Sequence, residues 1–184
     1  MKLKTSNIIL IIVIVLLIVP QTRKPIQVFL NKGLAMISPS VTEVSERASV
    51  NNYDWKLLDA TGAIYNFNDA KNKVVVVNFW ATWCPPCIAE MPSLDALYED
   101  YKDEVVFLFV SNESVDTTTK FLRKHQYQIP TFQPKTTIPS VFQVSSIPRT
   151  FLIDKKGMIV VDKTGAANWN SKAITSTIDK LLLD

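Results

Sequence analysis

The 184-residue chain has two cysteines, one histidine and four glycines. Each scarcity excludes something. Two cysteines cannot build a multi-disulfide framework, and they leave no third thiol for an internal relay. A single histidine, His125, cannot supply the two further Cys or His ligands that a zinc site would need beside the cysteine pair. Four glycines against ten prolines suggest rigid turns and breaks more than flexible linkers. Lys and Arg number 20 against 17 Asp and Glu and form no long basic block, which speaks against nucleic-acid binding. No internal repeat is present.

Hydrophobic residues are not scarce. At 47% they give a globular or membrane-associated composition, not a disordered one. Residues 8–19, IILIIVIVLLIV, form an uncharged run behind Lys2 and Lys4. At about 1.5 Å per helical residue such a run spans roughly 18 Å, short of a hydrocarbon core roughly 30 Å thick. It fits the apolar region of a signal peptide or a short signal anchor. Residues 19–22 offer no small pair for cleavage, which favours an uncleaved anchor over residues 1–20. Arg23 and Lys24 on the far flank nearly balance Lys2 and Lys4, so the charge rule barely sets topology. Residues 21–52 read as a linker. It holds a break at PQTRKP, a partly amphipathic stretch at 26–37 suited to a short helix or a membrane surface, and a polar Ser-rich tether.

A folded domain is expected over residues 53–184. YDWKLLD and AIYNF around Thr61 and Gly62 predict a hairpin. VVVVNFW, residues 74–80, predicts a strand buried on both faces. A helix follows over 85–101, with Pro85 and Pro86 in its first turn and Pro92 inside. EVVFLFVS predicts a second buried strand, and residues 115–126 a helix with Phe121 and Leu122 on its apolar side. IPTFQPKTTIPSVFQVS reads as irregular. RTFLID and MIVVDKTG predict an antiparallel pair about KKG. A closing helix over 170–183 would bury Ala173, Ile174, Ile178, Leu181 and Leu182. This succession predicts α/β layers around one sheet.

Both cysteines lie in NFWATWCPPCIAEMP. The spacing Cys-x-x-Cys serves half a zinc site, an inert structural disulfide or a redox-active dithiol. A bridge closing so short a loop removes little chain entropy, which argues against the second. The setting favours the third. Cys84 sits where a central strand hands over to a helix N-terminus, whose unpaired N–H groups and dipole favour thiolate. Cys87 is almost one turn on, points back, and is expected to be the more buried resolving thiol. Trp80 and Trp83 are expected to give apolar cover and a flat docking surface.

That segment, with SSIPRTFLID and DKKGMIV downstream, resembles the thioredoxin superfamily, closest to its TlpA/ResA-like membrane-anchored thiol–disulfide oxidoreductases. The resemblance covers about residues 53–184. It implies a thioredoxin-like α/β fold, a central mixed β-sheet flanked by helices, with an N-terminal β-hairpin after the anchor. It implies that Cys84 is the nucleophile and Cys87 the resolving cysteine. Pro148 would be the cis-proline facing the pair, with Ile147 before it. Trp83, Pro85, Pro86, Ile147 and Pro148 would bind the substrate, and Pro92 would kink the helix. Glu90 matches an acidic position that tunes thiol pKa or recognises the partner; the plainer reading is a solvated helix charge. Asn78 stands where thioredoxin has a buried Asp, so another base, Glu90 or water, would have to do that Asp's work. His125 reads as a polar-face helix residue.

The implied function is reduction of protein disulfides in the periplasm or extracytoplasmic space, for example in cytochrome c maturation, by dithiol–disulfide exchange. No metal, nucleotide or flavin is implied. The implied partners are a disulfide-containing client such as apocytochrome c and a membrane reductant of the CcdA/DsbD kind, and a monomer is expected. The same residues would serve a disulfide-forming oxidant. A peroxidase would need a cysteine in a different context, often Pro-x-x-x-Thr-x-x-Cys, which is absent. A non-catalytic binding module would leave the intact pair unexplained.

Overall fold

The structure, a computed structural model, describes Asn7, Ile9, Leu10, Ile14, Leu16 and residues 19–184. Most of the apolar run expected to be an anchor therefore lies outside the described residues. Among the described residues, no helix is long and apolar enough to cross a membrane.

The unbroken β-branched run makes the central strand. β3 (Val75–Phe79) is buried at all five positions. A strand can be apolar at every position only if both faces of its sheet are covered. Its neighbours are β4 (Val106–Val110), parallel, and β6 (Arg149–Ile153), antiparallel. Outward from β6 lies β7 (Ile159–Thr164); outward from β4 lie β5 (Thr131–Pro134), then β1 (Lys56–Leu58) and β2 (Ile64–Asn66). The sheet thus has seven strands in the order β2-β1-β5-β4-β3-β6-β7 and is mixed in direction.

One face is covered by α2 (Pro85–Tyr101), α3 (Val115–His125) and α4 (Lys172–Leu183). They bring Met91, Leu94, Leu97, Leu122, Ile174 and Ile178 onto Val76, Phe107, Phe109 and Leu152. In α4, Ala173 is exposed, whereas Ile174, Ile178 and Leu181 are buried. The other face carries an aromatic cluster in which Phe142 lies 5.2 Å from Phe151 and 5.8 Å from Trp55, ring centre to ring centre.

The stretch expected to be irregular contains β5. Thr131 and Phe132 pair with Phe109 and Val110, and Gln133 and Pro134 with Leu58 and Leu57. Its prolines hide the strand from a reading by residue type, because each removes a ladder donor. Pro130 lies just before the strand, Pro134 ends it, and Pro139 caps the short 3-10 turn Ser140–Phe142 that delivers Phe142 to the core. The KKG turn requires its glycine. Gly157 has φ +80°, and a Cβ there would stand 2.6 Å from the Tyr53 hydroxyl oxygen.

Ahead of the sheet, α1 (Pro20–Leu34) packs against α2. The following residues run along the outer side of β7. Thr42 N–H donates to Val160 O at 2.8 Å, Ala48 O accepts from Ile159 N–H at 2.8 Å, and Val50 N–H donates to Gly157 O at 2.8 Å.

Candidate active site

The cysteines sit where β3 gives way to α2. Cys84 is the N-cap of α2, and its sulfur accepts the Cys87 N–H at 3.3 Å. Pro85 and Pro86 fill the first turn, where a missing N–H costs nothing. Cys84 and Cys87 are joined as a disulfide with Cα atoms 5.3 Å apart. Cys87 is fully buried and Cys84 is 3% exposed, so both sulfurs lie under cover. Cys84 Sγ lies 3.7 Å from the carbonyl oxygen of Ile147, and the Ile147–Pro148 peptide is cis. Pro148 is buried, and Ile147, Pro85 and Pro86 are half-buried around the pair.

The two tryptophans separate. Trp83 is 58% exposed and stands beside the disulfide, whereas Trp80 is 2% exposed and packs on Phe121 at 5.8 Å. The expected docking surface therefore rests on Trp83 alone. Alternation explains it: Val76, Asn78 and Trp80 share the face of the chain that points under the helices. An open groove of about 820 Å³ starts at Trp83 and Ile147 and runs past Phe142, Gln143 and Glu113. Arg149 secures its wall. Its Nε and Nη2 donate to the Asp162 carboxylate at 2.8 and 2.7 Å, and Nη1 donates to Gln143 O at 2.7 Å.

Glu90 is not a solvated helix charge. It is 1% exposed, on the face of α2 that also buries Cys87, Met91, Leu94 and Leu97. Its Oε1 accepts from Asn78 Nδ2 at 3.0 Å, and its Oε2 from Ala167 N–H at 3.2 Å and Trp169 Nε1 at 3.1 Å. Burial pushes its carboxyl up to about 8, against the downward pull of those three donors. Asn78 Nδ2 also donates to Thr150 Oγ1 at 2.7 Å, and Asn78 Oδ1 has no hydrogen-bond partner among the described residues. An amide suits either state of Glu90: Nδ2 serves the carboxylate, and the same group turned over would accept a carboxyl proton. Spacing alone could have placed Glu90 inward, since it stands three residues after a buried cysteine. Thr150, Ala167 and Trp169 had no such signal.

Glu113 was also missed. Its Oε2 accepts the Thr82 N–H at 2.6 Å and its Oε1 the Thr82 hydroxyl at 2.7 Å, which ties the cysteine loop to the loop after β4. The parallel pairing of Phe79 with Val110 brings these loops together at the same end of the sheet. Pro92 lies inside α2, and His125 is exposed at the end of α3 with its ring 4.4 Å from Phe121. Among the described residues no group of three His, Cys, Asp or Glu side chains could hold a metal ion.

Known proteins resemble this chain in sequence and fold. Thioredoxin-like protein YneN of Bacillus subtilis is 34% identical over 110 residues, which cover 58% of this chain and 65% of YneN, just under two thirds of its length. Thiol-disulfide oxidoreductase ResA of Halalkalibacterium halodurans is 31% identical over 122 residues, covering 65% of this chain and 69% of that protein. The crystal structure of the exposed lipoprotein thioredoxin of Streptococcus pneumoniae superposes with a TM-score of 0.58 at 27% identity, over 69% of this chain and 98% of that one. The sequence profile of the AhpC/TSA family matches residues 50–162. The chain belongs to the AhpC/TSA family, among its thioredoxin-like, ResA-related members.

Proposed function

We propose that this chain is a thiol–disulfide oxidoreductase that reduces disulfides of client proteins outside the cytoplasm. The observation that carries the reading is the Cys84–Cys87 pair at the N-terminus of α2, beneath the Ile147 carbonyl and next to the open groove that Trp83 and Ile147 line. Reduced Cys84, as thiolate, attacks one sulfur of a client disulfide; the other client sulfur leaves as thiolate. Cys87 then loses its proton and attacks Cys84 Sγ, which frees the second client thiol and leaves Cys84–Cys87 oxidised. The helix N-terminus favours the Cys84 thiolate. Glu90 lies one turn along from Cys87 on the buried face of α2, and its carboxyl, raised to about 8, takes the Cys87 proton only in its ionised fraction, which grows as pH approaches 8.

The Ile147 carbonyl and Trp83 flank the reacting sulfur, and an extended client segment fits the groove beside them. Residues 1–20 anchor the chain, residues 21–52 link it to the catalytic domain, and a membrane reductant of the CcdA/DsbD kind reloads the pair. Apocytochrome c is the client the family resemblance suggests. The test is trapping. Reduced Cys87→Ser protein should accumulate a mixed disulfide at Cys84 with a model Cys-x-x-Cys peptide, and Cys84→Ser should not. Trapping through neither variant would reject the exchange mechanism. A reduction potential near that of DsbA, about −120 mV, instead of thioredoxin's, about −270 mV, would reverse the direction.

A further inference from the structure

A surface helix of a globular protein turns its apolar face inward. α1 does so only in part: Ile26 and Val28 are half-buried, while its outer side still carries exposed large apolar residues. Gln27 and Asn31, with Arg23 and Lys24, line the crevice that α1 makes with Trp83, Pro85 and Pro86. Phe29 and Leu30 are 74% and 66% exposed, and Met36 and Ile37, just beyond the helix, are 77% and 59% exposed. At 3.6 residues per turn, Phe29, Leu30 and Gly33 share one side of the helix, while Gln27 and Asn31 lie on the other. The charge is equally one-sided. No acidic residue precedes Glu43, whereas Lys2, Lys4, Arg23, Lys24 and Lys32 are all basic. A second copy of so basic a helix would be repelled. Anionic lipid would not, and the chain enters α1 directly from the apolar run 8–19.

We propose that α1 lies flat in the interface of an anionic membrane. Phe29, Leu30, Met36 and Ile37 enter the boundary between headgroups and acyl chains, Lys32 meets lipid phosphates, and Arg23 and Lys24 on the crevice side add longer-range attraction to the anionic surface. Because its polar face packs beside Trp83 and Pro85, α1 holds the mouth of the active site at the bilayer surface. The client surface it suits is a disulfide presented close to the membrane. The proposal rests on the membrane attachment proposed above only for how α1 reaches the bilayer.

The test uses the full chain in phosphatidylglycerol–phosphatidylcholine vesicles with and without brominated acyl chains. Phe29→Trp, and independently Leu30→Trp, adds emission over the parent chain. That added emission should fall at least about twofold in brominated vesicles, because bromine quenches only indoles at acyl depth. Unquenched emission from a chain that still floats with the vesicles would overturn the interfacial helix and leave the anchor standing. If cross-linked dimers appear as well, a second copy covers the face. A chain that does not float overturns both. Equal quenching in phosphatidylcholine alone would overturn the requirement for anionic lipid.

Discussion

Replacing Glu90 by glutamine should change how stability depends on pH. The carboxyl titrates at 4.5 when unfolded and at about 8 when folded, mainly because of burial. Between those values the folded chain keeps a proton that the unfolded chain has released. Stability contributed by this group therefore falls as pH rises through the window, and is flat on either side. The limiting slope is about 1.4 kcal/mol per pH unit, so the loss between about pH 5 and pH 8 is a few kcal/mol. A glutamine side chain fits the site. Its oxygen can accept from Ala167 N–H and Trp169 Nε1, and its NH₂ can face an Asn78 amide turned over to receive it. Guanidinium unfolding of oxidised parent and Glu90→Gln protein, in mild detergent across that range, isolates the effect because every other titration is shared. The parent should lose stability towards pH 8 relative to the variant, while the two converge near pH 5 apart from a constant offset. Parallel curves would refute a proton held by Glu90.

Two further substitutions test the shell around the cysteines. Trp169→Phe removes a donor to the Glu90 carboxylate and should move its titration above about 8, followed by the infrared carboxyl band; an unchanged or lower midpoint would contradict the role given to the indole. Glu113→Ala deletes both hydrogen bonds to Thr82 and should destabilise the oxidised protein by about 1–3 kcal/mol while speeding hydrogen exchange at the Thr82 amide. A Thr82 amide as protected as in the parent would show that the loop is held by something else.

Much of the site was legible because its signals are local. An apolar β-branched run, a Cys-x-x-Cys pair and two prolines in sequence specify a buried strand, a turn and a helix N-terminus, and these are β3 and Pro85–Tyr101 as found. What escaped is non-local. β5 is a strand because β4 and β1 flank it, not because TFQP favours one. Trp80 and Trp83 look alike in sequence, yet one follows the inward alternation of β3 and the other stands on the loop. Glu113 reaches Thr82 only because parallel strands end side by side, and Trp169 reaches Glu90 across the whole domain. Residue type alone carries no record of such meetings.

The main chain from residues 42 to 50, bound to Val160, Ile159 and Gly157, also has a consequence for solubility. β7 borders the sheet, and a bare border strand is a template on which another chain can add. Here the protein's own backbone occupies that template. The opposite border, β2, is three residues long, too short a ladder to recruit a stranger firmly. If, as proposed, the domain receives extended client segments at its cysteine groove, it is thereby spared from collecting them at its rims.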